Sequence, residues 1–399
     1  MFGNLEALPP DPILGVTAAF RRDPDPGKVD LGVGVYRDED GITPVPAAVR
    51  EAERELITSQ TTKTYVGPAG NLEFNERIVE LALGSLAAQF KDRTATIQTV
   101  GGCGALRMAA ELMHAAAPGA VVHVSDPTWA NHEPLLGNSG IALGRYPYYD
   151  PARRDVAFER MLDHLGRLPA GDVVLLHACC HNPTGVDLEP GQWAVVADVL
   201  ERRGLVPFVD LAYQGFGDDL ETDVAGLRLL ASRLPTLLLA ISCSKNFGLY
   251  RERVGALAVL TESPATARAL ATHQARTGRR MYSMPPDHGA AIAARLVLGV
   301  PQLRESWQQE LAAMVARLKS LRALLASRLS ARRADLDFSW LTRQRGMFSL
   351  LGLEPASISA LCEVEHVYMT PDGRINVAGV SDANVDRVAD SIVRVLDRR

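Results

Sequence analysis

No apolar stretch in this chain approaches the ~20 residues that a membrane-spanning helix requires, although 47% of its 399 residues are apolar. Blocks of one charge are also missing: 42 Lys and Arg stand against 47 Asp and Glu, a formal net charge of −5. A nucleic-acid or anionic-membrane partner therefore has no electrostatic support. Cysteine is scarce, and the five residues at 103, 179, 180, 243 and 362 show no metal-ligand spacing. Cys179 and Cys180 follow the apolar run Val173–Leu176 and are expected to be buried free thiols, which suits a reducing, cytoplasmic setting. The opening stretch MFGNLEALPPDPILG has neither a basic n-region nor an apolar h-region, so no secretory signal is expected. Repeats and low-complexity segments are absent. What remains is the profile of a globular enzyme-sized chain with a substantial core.

Short β-branched runs recur at 120–124, 173–177, 205–209, 237–241 and 256–260, each ending in polar or turn-forming residues. Helix-like stretches such as 159–165 and 193–203 lie between the earlier ones. Strands alternating with helices predict a mostly parallel sheet covered on both faces, an α/β layer structure. After Pro301 the character changes. Residues 303–330 read as one long amphipathic helix bridging a large domain to a smaller mixed one, which ends in a helix over 384–396. Pro9–Pro12 and Asp23–Gly27 mark an extended arm and a turn.

Four polar segments sit at the ends of predicted strands or open a helix. Lys245 lies in Ser242–Gly255, with Arg251 and Arg253 shortly after it. A lone lysine of this kind is ordinarily a solvated surface residue. Asp210 ends the run 205–209, where α/β sheets place ligands, although an aspartate there also caps turns. Asn182 belongs to His181–Gly185, which an Asn-Pro turn alone would explain. Gly101, Gly102 and Gly104 precede a helix predicted over 105–117. Backbone N–H groups in such a turn can approach a phosphate, but the spacing is not the dinucleotide fingerprint.

Taken together, GGCGAL (101–106), CCHNPTG (179–185), DLAYQGF (210–216) and SKNFGLYRERVG (244–255) resemble the class I aminotransferases of the aspartate and aromatic amino-acid type. The resemblance runs from DPILG at 11–15 to GRINVAG at 373–379. It implies the α/β fold of fold type I pyridoxal-phosphate (PLP) enzymes, a large domain with a mostly parallel sheet plus a smaller α+β domain. The implied boundaries are an arm at 1–10, a small domain at 11–42 with 313–399, and a large PLP-binding domain at 43–312.

Position by position, the resemblance makes Lys245 the residue that forms an imine with PLP and shuttles the proton. Asp210 pairs with the pyridine nitrogen, backed by His132, while Tyr213 and Asn182 bind the phenolic oxygen and Trp129 stacks on the ring. Gly102, Cys103, Ser242 and Arg253 hold the phosphate, with Tyr65 reaching in from the partner of a homodimer. Arg374 grips the substrate α-carboxylate, Gly34 and Asn182 line the substrate, and Arg279 reads a distal carboxylate across the interface. A planar guanidinium fork suits those carboxylates.

The implied reaction is a ping-pong transfer from an aromatic and/or acidic L-amino acid to 2-oxoglutarate. Alternatives are an aspartate-specific enzyme or a specialised-metabolism transaminase with an atypical donor. Cys103, Met284 and Thr64 depart from the aspartate-type pattern, whereas Val35 and Thr43 keep it. A PLP lyase or decarboxylase would keep the fold and change the reaction; the paired Arg374 and Arg279 argue against the decarboxylase. A PLP-binding transcriptional regulator would need a helix-turn-helix, for which the Pro- and Gly-rich first 40 residues offer no room.

Overall fold

The computed structural model describes residues 1–3, 5–7 and 12–397. Pro9, Pro10 and Asp11, which belong to the expected arm and to DPILG, lie outside the described residues. Contacts divide the chain into two units. The smaller comprises Met1–Thr43, Pro183–Gly185 and Arg317–Arg399; the larger comprises Pro44–Asn182 and Val186–Ala316.

The larger unit is built on a seven-stranded sheet. Its spatial order is Thr94–Val100, Val254–Leu260, Leu237–Ser242, Val206–Leu211, Val173–His177, Val121–Asp126 and Ala142–Pro147. Only Val254–Leu260 runs antiparallel to its neighbours; the other pairings are parallel. The short connection 243–253 explains that reversal, since a parallel return would need a crossover of a dozen or more residues. Leu237–Ser242 and Val254–Leu260 are buried at every position, as strands covered on both faces must be. One face packs on Gly101–Ala116 through Leu106, Met108, Ala109 and Leu112 against Ile97, Val122, Leu175, Phe208 and Leu257.

That helix starts four residues earlier than the sequence predicts. Gly101 has φ +67°, a left-handed conformation that favours glycine, so the chain passes from Val100 into the helix with no intervening loop. Polar strand-end groups at 100–102, 177–182, 210–213 and 242–245 therefore gather along one edge of the sheet.

The smaller unit has its own core. Leu321, Leu325 and Leu329 of the helix Pro301–Arg332 pack with Trp340, Leu361, Ile375, Val388 and Ile392. The pair Phe348–Leu350 and Arg374–Asn376 is antiparallel, with Leu350 opposite Arg374. Arg322, 1% exposed, donates to the carbonyls of Leu341, Gly346 and Phe348 and to Ser349 Oγ, fixing the segment that precedes and forms the first of those strands. No helix among the described residues is long and apolar enough to cross a membrane.

Candidate active site

The glycine turn meets two other strand ends. A Cβ added at Gly101 would stand 2.7 Å from Arg253 Nη2, and one at Gly102 would stand 3.0 Å from Ser242 Cβ. Arg253 itself has φ +54° and donates to Ser244 Oγ at 3.3 Å and to the Tyr250 carbonyl at 3.1 Å. A 16-residue helix thus presents its N-terminus beside a guanidinium and two hydroxyls. All of these groups suit an anion. Cys103, half-buried, occupies the first turn of the same helix.

Asp210 stands second from the end of Val206–Leu211, in register with His177 on one side and Ala240 on the other. Its Oδ2 lies 3.1 Å from His132 Nε2, and Thr128 Oγ1 lies 2.8 Å from His132 Nδ1 and 3.4 Å from His177 Nε2. A consistent proton assignment runs one way: His177 donates to Thr128, Thr128 to His132, and His132 to Asp210. Burial pushes the Asp210 carboxyl up, yet the His132 hydrogen bond and nearby positive charge, Lys245 included, hold it below its usual range. His177 behaves oppositely, with burial and the neighbouring His132 bringing it down to about 3. Burial and the two other histidines lower His181 as well.

Trp129 meets His132 edge-on, with ring centroids 5.3 Å apart. Lys245 follows the strand Leu237–Ser242, and its Nζ sits 4.8 Å from the centre of the Tyr213 ring. Asn182 is buried in a loop whose geometry Asp187 fixes: the two carboxylate oxygens accept the amides of Cys180 and His181 at 2.7 and 2.8 Å. Asp223 does the same for the loop after Tyr213, accepting the amides of Gly215, Gly217 and Asp218.

Tyr65 is 85% exposed in an irregular stretch, and Arg279 is exposed in the last turn of Pro264–Met281, bonded to Ser283 Oγ at 2.8 Å. In the smaller unit Arg374 is buried, donates to the Gly32 carbonyl at 2.9 Å and lies over the Phe348 ring at 4.2 Å. Gly34 completes that group, because a Cβ there would stand 3.2 Å from Phe348 Cζ. The sequence reading missed Thr128, His177, His181, Asp187, Asp223 and Phe348. His177 and His181 had one available signal, two histidines flanking the buried cysteines directly after an apolar strand.

Comparison with known proteins follows the same lines. The profile of the family described as "Aminotransferase class I and II" matches residues 26–392. An aromatic-amino-acid aminotransferase of Paracoccus denitrificans is 46% identical over 395 residues, covering 99% of this chain and 100% of that protein. An aspartate aminotransferase of Escherichia coli K12 is 42% identical over 397 residues, covering 99% and 100%. Among solved structures, an aromatic-amino-acid aminotransferase from Burkholderia pseudomallei, covalently bound to pyridoxal phosphate, superposes with a TM-score of 0.95 at 44% identity, covering 99% of each chain. With nearly the whole chain matched at this identity, the protein belongs to the class I and II aminotransferases and is an enzyme of the transaminase class.

Proposed function

We propose that the enzyme uses pyridoxal 5′-phosphate to move an amino group from an aromatic and/or acidic L-amino acid to 2-oxoglutarate by a ping-pong mechanism. The carrying observation is the convergence, in the larger unit, of a buried carboxylate held ionised by His132, a lysine one strand end away, and an anion cradle made by the glycine turn with Arg253. That donor set fits PLP: the cradle, where side chains at Gly101 and Gly102 would collide with its walls, takes a phosphate, and Asp210 matches a protonated ring nitrogen.

When bound, PLP supplies the electron sink that lets an amino acid lose its α-proton. Asp210 Oδ keeps the ring nitrogen protonated, and the chain through Thr128 and His177 keeps the carboxylate oriented. Lys245 Nζ would hold the cofactor in the resting enzyme, and once freed it would take the α-proton as general base and return it as general acid. Tyr213 and Asn182 would donate to the phenolic oxygen, and Trp129 would pack against the ring. Ser242, Gly102, Cys103 and Arg253 would hold the phosphate. A thiol at 103 is a weak donor, so the backbone amides of the helix start take the main share there.

Arg374, with Gly34 beside it, grips the α-carboxylate. Domain limits of 11–42 with 313–399 and 43–312, preceded by an arm at 1–10, accompany this reading. Tyr65 and Arg279, both exposed on this chain, act in the site of a second copy, so the working enzyme is a homodimer; its setting is the cytoplasm. The relatives named for aromatic amino acids and for aspartate support both donor classes. A panel of Asp, Glu, Phe, Tyr, Trp and Arg against 2-oxoglutarate, ranked by kcat/KM, tests the proposal. It expects Phe, Tyr or Trp alongside Asp or Glu at the top. Failure of every donor would remove the transaminase assignment to these substrates.

A further inference from the structure

The larger unit holds a second histidine cluster at the start of its parallel strands, away from the strand ends that carry Asp210 and Lys245. His123 is the third residue of Val121–Asp126 and is buried. Its Nε2 lies 2.9 Å from Oδ2 of Asp172, whose other oxygen accepts the Val121 amide at 3.1 Å. A carboxylate fixed in this way accepts a hydrogen bond from Nε2–H, which leaves Nδ1 with its lone pair. That Nδ1 is buried without a hydrogen-bond partner among the described residues, and so is Nε2 of His164 on the helix Phe158–Leu165. The two rings meet edge-on, 5.9 Å between centroids with planes 67° apart.

Gly144 makes the room. It stands opposite His123 in the neighbouring strand, and a Cβ there would come within 2.5 Å of His123 Nδ1. A glycine in mid-strand carries no packing advantage of its own and often marks such a close approach.

We propose that His123 and His164 form a binding site for a divalent transition-metal ion, with Asp172 orienting His123 from behind. Imidazole nitrogens hold zinc at about 2.0–2.1 Å, which places two ligating ring centroids about 5 Å apart at a tetrahedral angle and about 6 Å apart as the angle opens. The observed 5.9 Å lies in that range. A carboxylate accepting from the far nitrogen of a ligating histidine is the usual support for such a site. Two imidazoles select zinc, copper or nickel over magnesium and calcium. His164 as a whole is half-buried, and an ion held by two imidazoles needs water in its remaining positions. The nearby-ligand group Cys179, Cys180 and Asp223 is a poorer candidate. The Cys180 hydrogen bond and burial hold the Cys179 thiol protonated, and the Asp223 oxygens already accept three amides.

The test titrates chelator-treated holoenzyme with Zn2+ by calorimetry and with Cu2+ by electron paramagnetic resonance. One saturable site per chain with nitrogen hyperfine structure is expected. His164→Ala should weaken binding at least about tenfold, and Asp172→Asn about tenfold, both with transaminase activity retained. Absence of saturable binding would overturn the proposal, as would binding in His164→Ala as tight as in the parent.

Discussion

Asp210 is a carboxylate kept charged in a place that opposes charge. Burial works against ionisation, and the reversal comes first from the His132 hydrogen bond, with nearby charge including Lys245 adding to it; the second nitrogen of His132 is fixed by Thr128. The histidines behind it pay in acid sensitivity. His177 titrates at about 3 against an ordinary value of 6.5, so an unfolded chain takes up its proton well before the native one does. Its contribution to stability is therefore complete above pH 6.5 and is lost as pH falls towards 3. Each such histidine steepens the fall by up to about 1.4 kcal/mol per pH unit. Urea midpoints measured between pH 7.5 and 5 should drop for the parent enzyme and drop less for His177→Gln. Equal slopes would show that folding leaves the His177 pKa unshifted.

At the scale of elements, the turn at 100–102 shapes the cradle that the proposed function gives to the phosphate. Gly101 needs a left-handed φ and stands within reach of Arg253, so Gly101→Ala meets backbone strain and a steric clash together. Cofactor affinity, measured by equilibrium dialysis, is expected to fall at least about tenfold, since strain of this kind costs on the order of 1–3 kcal/mol. Unchanged affinity would mean that the turn does not shape the site. The same element shows what was legible in the sequence. The inner strands were readable because residues buried on both faces form unbroken apolar runs, as in LLLAIS and VVLLH. The edge strands Thr94–Val100 and Ala142–Pro147 escaped, since partial exposure leaves polar residues in TATIQTV and ALGRYP. Asp210, Asn182 and Lys245 stood out as polar groups directly after apolar runs. Asp187, Asp223 and Thr128 did not, because each acts by satisfying amides or histidines that only the folded loops bring near.

At the scale of the whole molecule, the proposed function rests substrate choice on two arginines with different surroundings. Arg374 is buried against Phe348 and the Gly32 carbonyl, a fixed fork suited to a carboxylate present in every donor. Arg279 is exposed and tied only at its tip to Ser283, which suits a contact completed by a second copy. Arg279→Ala should lower kcat/KM for aspartate and glutamate by about 10²-fold, while phenylalanine changes by less than about fivefold, because a charged hydrogen-bonded pair is worth about 1.5–3 kcal/mol. Equal losses for all donors would place Arg279 outside side-chain recognition.

The central claim, that Lys245 moves the proton in a PLP-dependent transamination, is tested most directly by a single-turnover measurement on the purified enzyme. Addition of an amino donor should shift absorbance from ~360–430 nm to ~330 nm as the amino group passes to the cofactor. In Lys245→Ala reconstituted with PLP, the rate of that shift is predicted to fall by at least about 10³-fold. A variant converting at the parent rate would contradict the assignment.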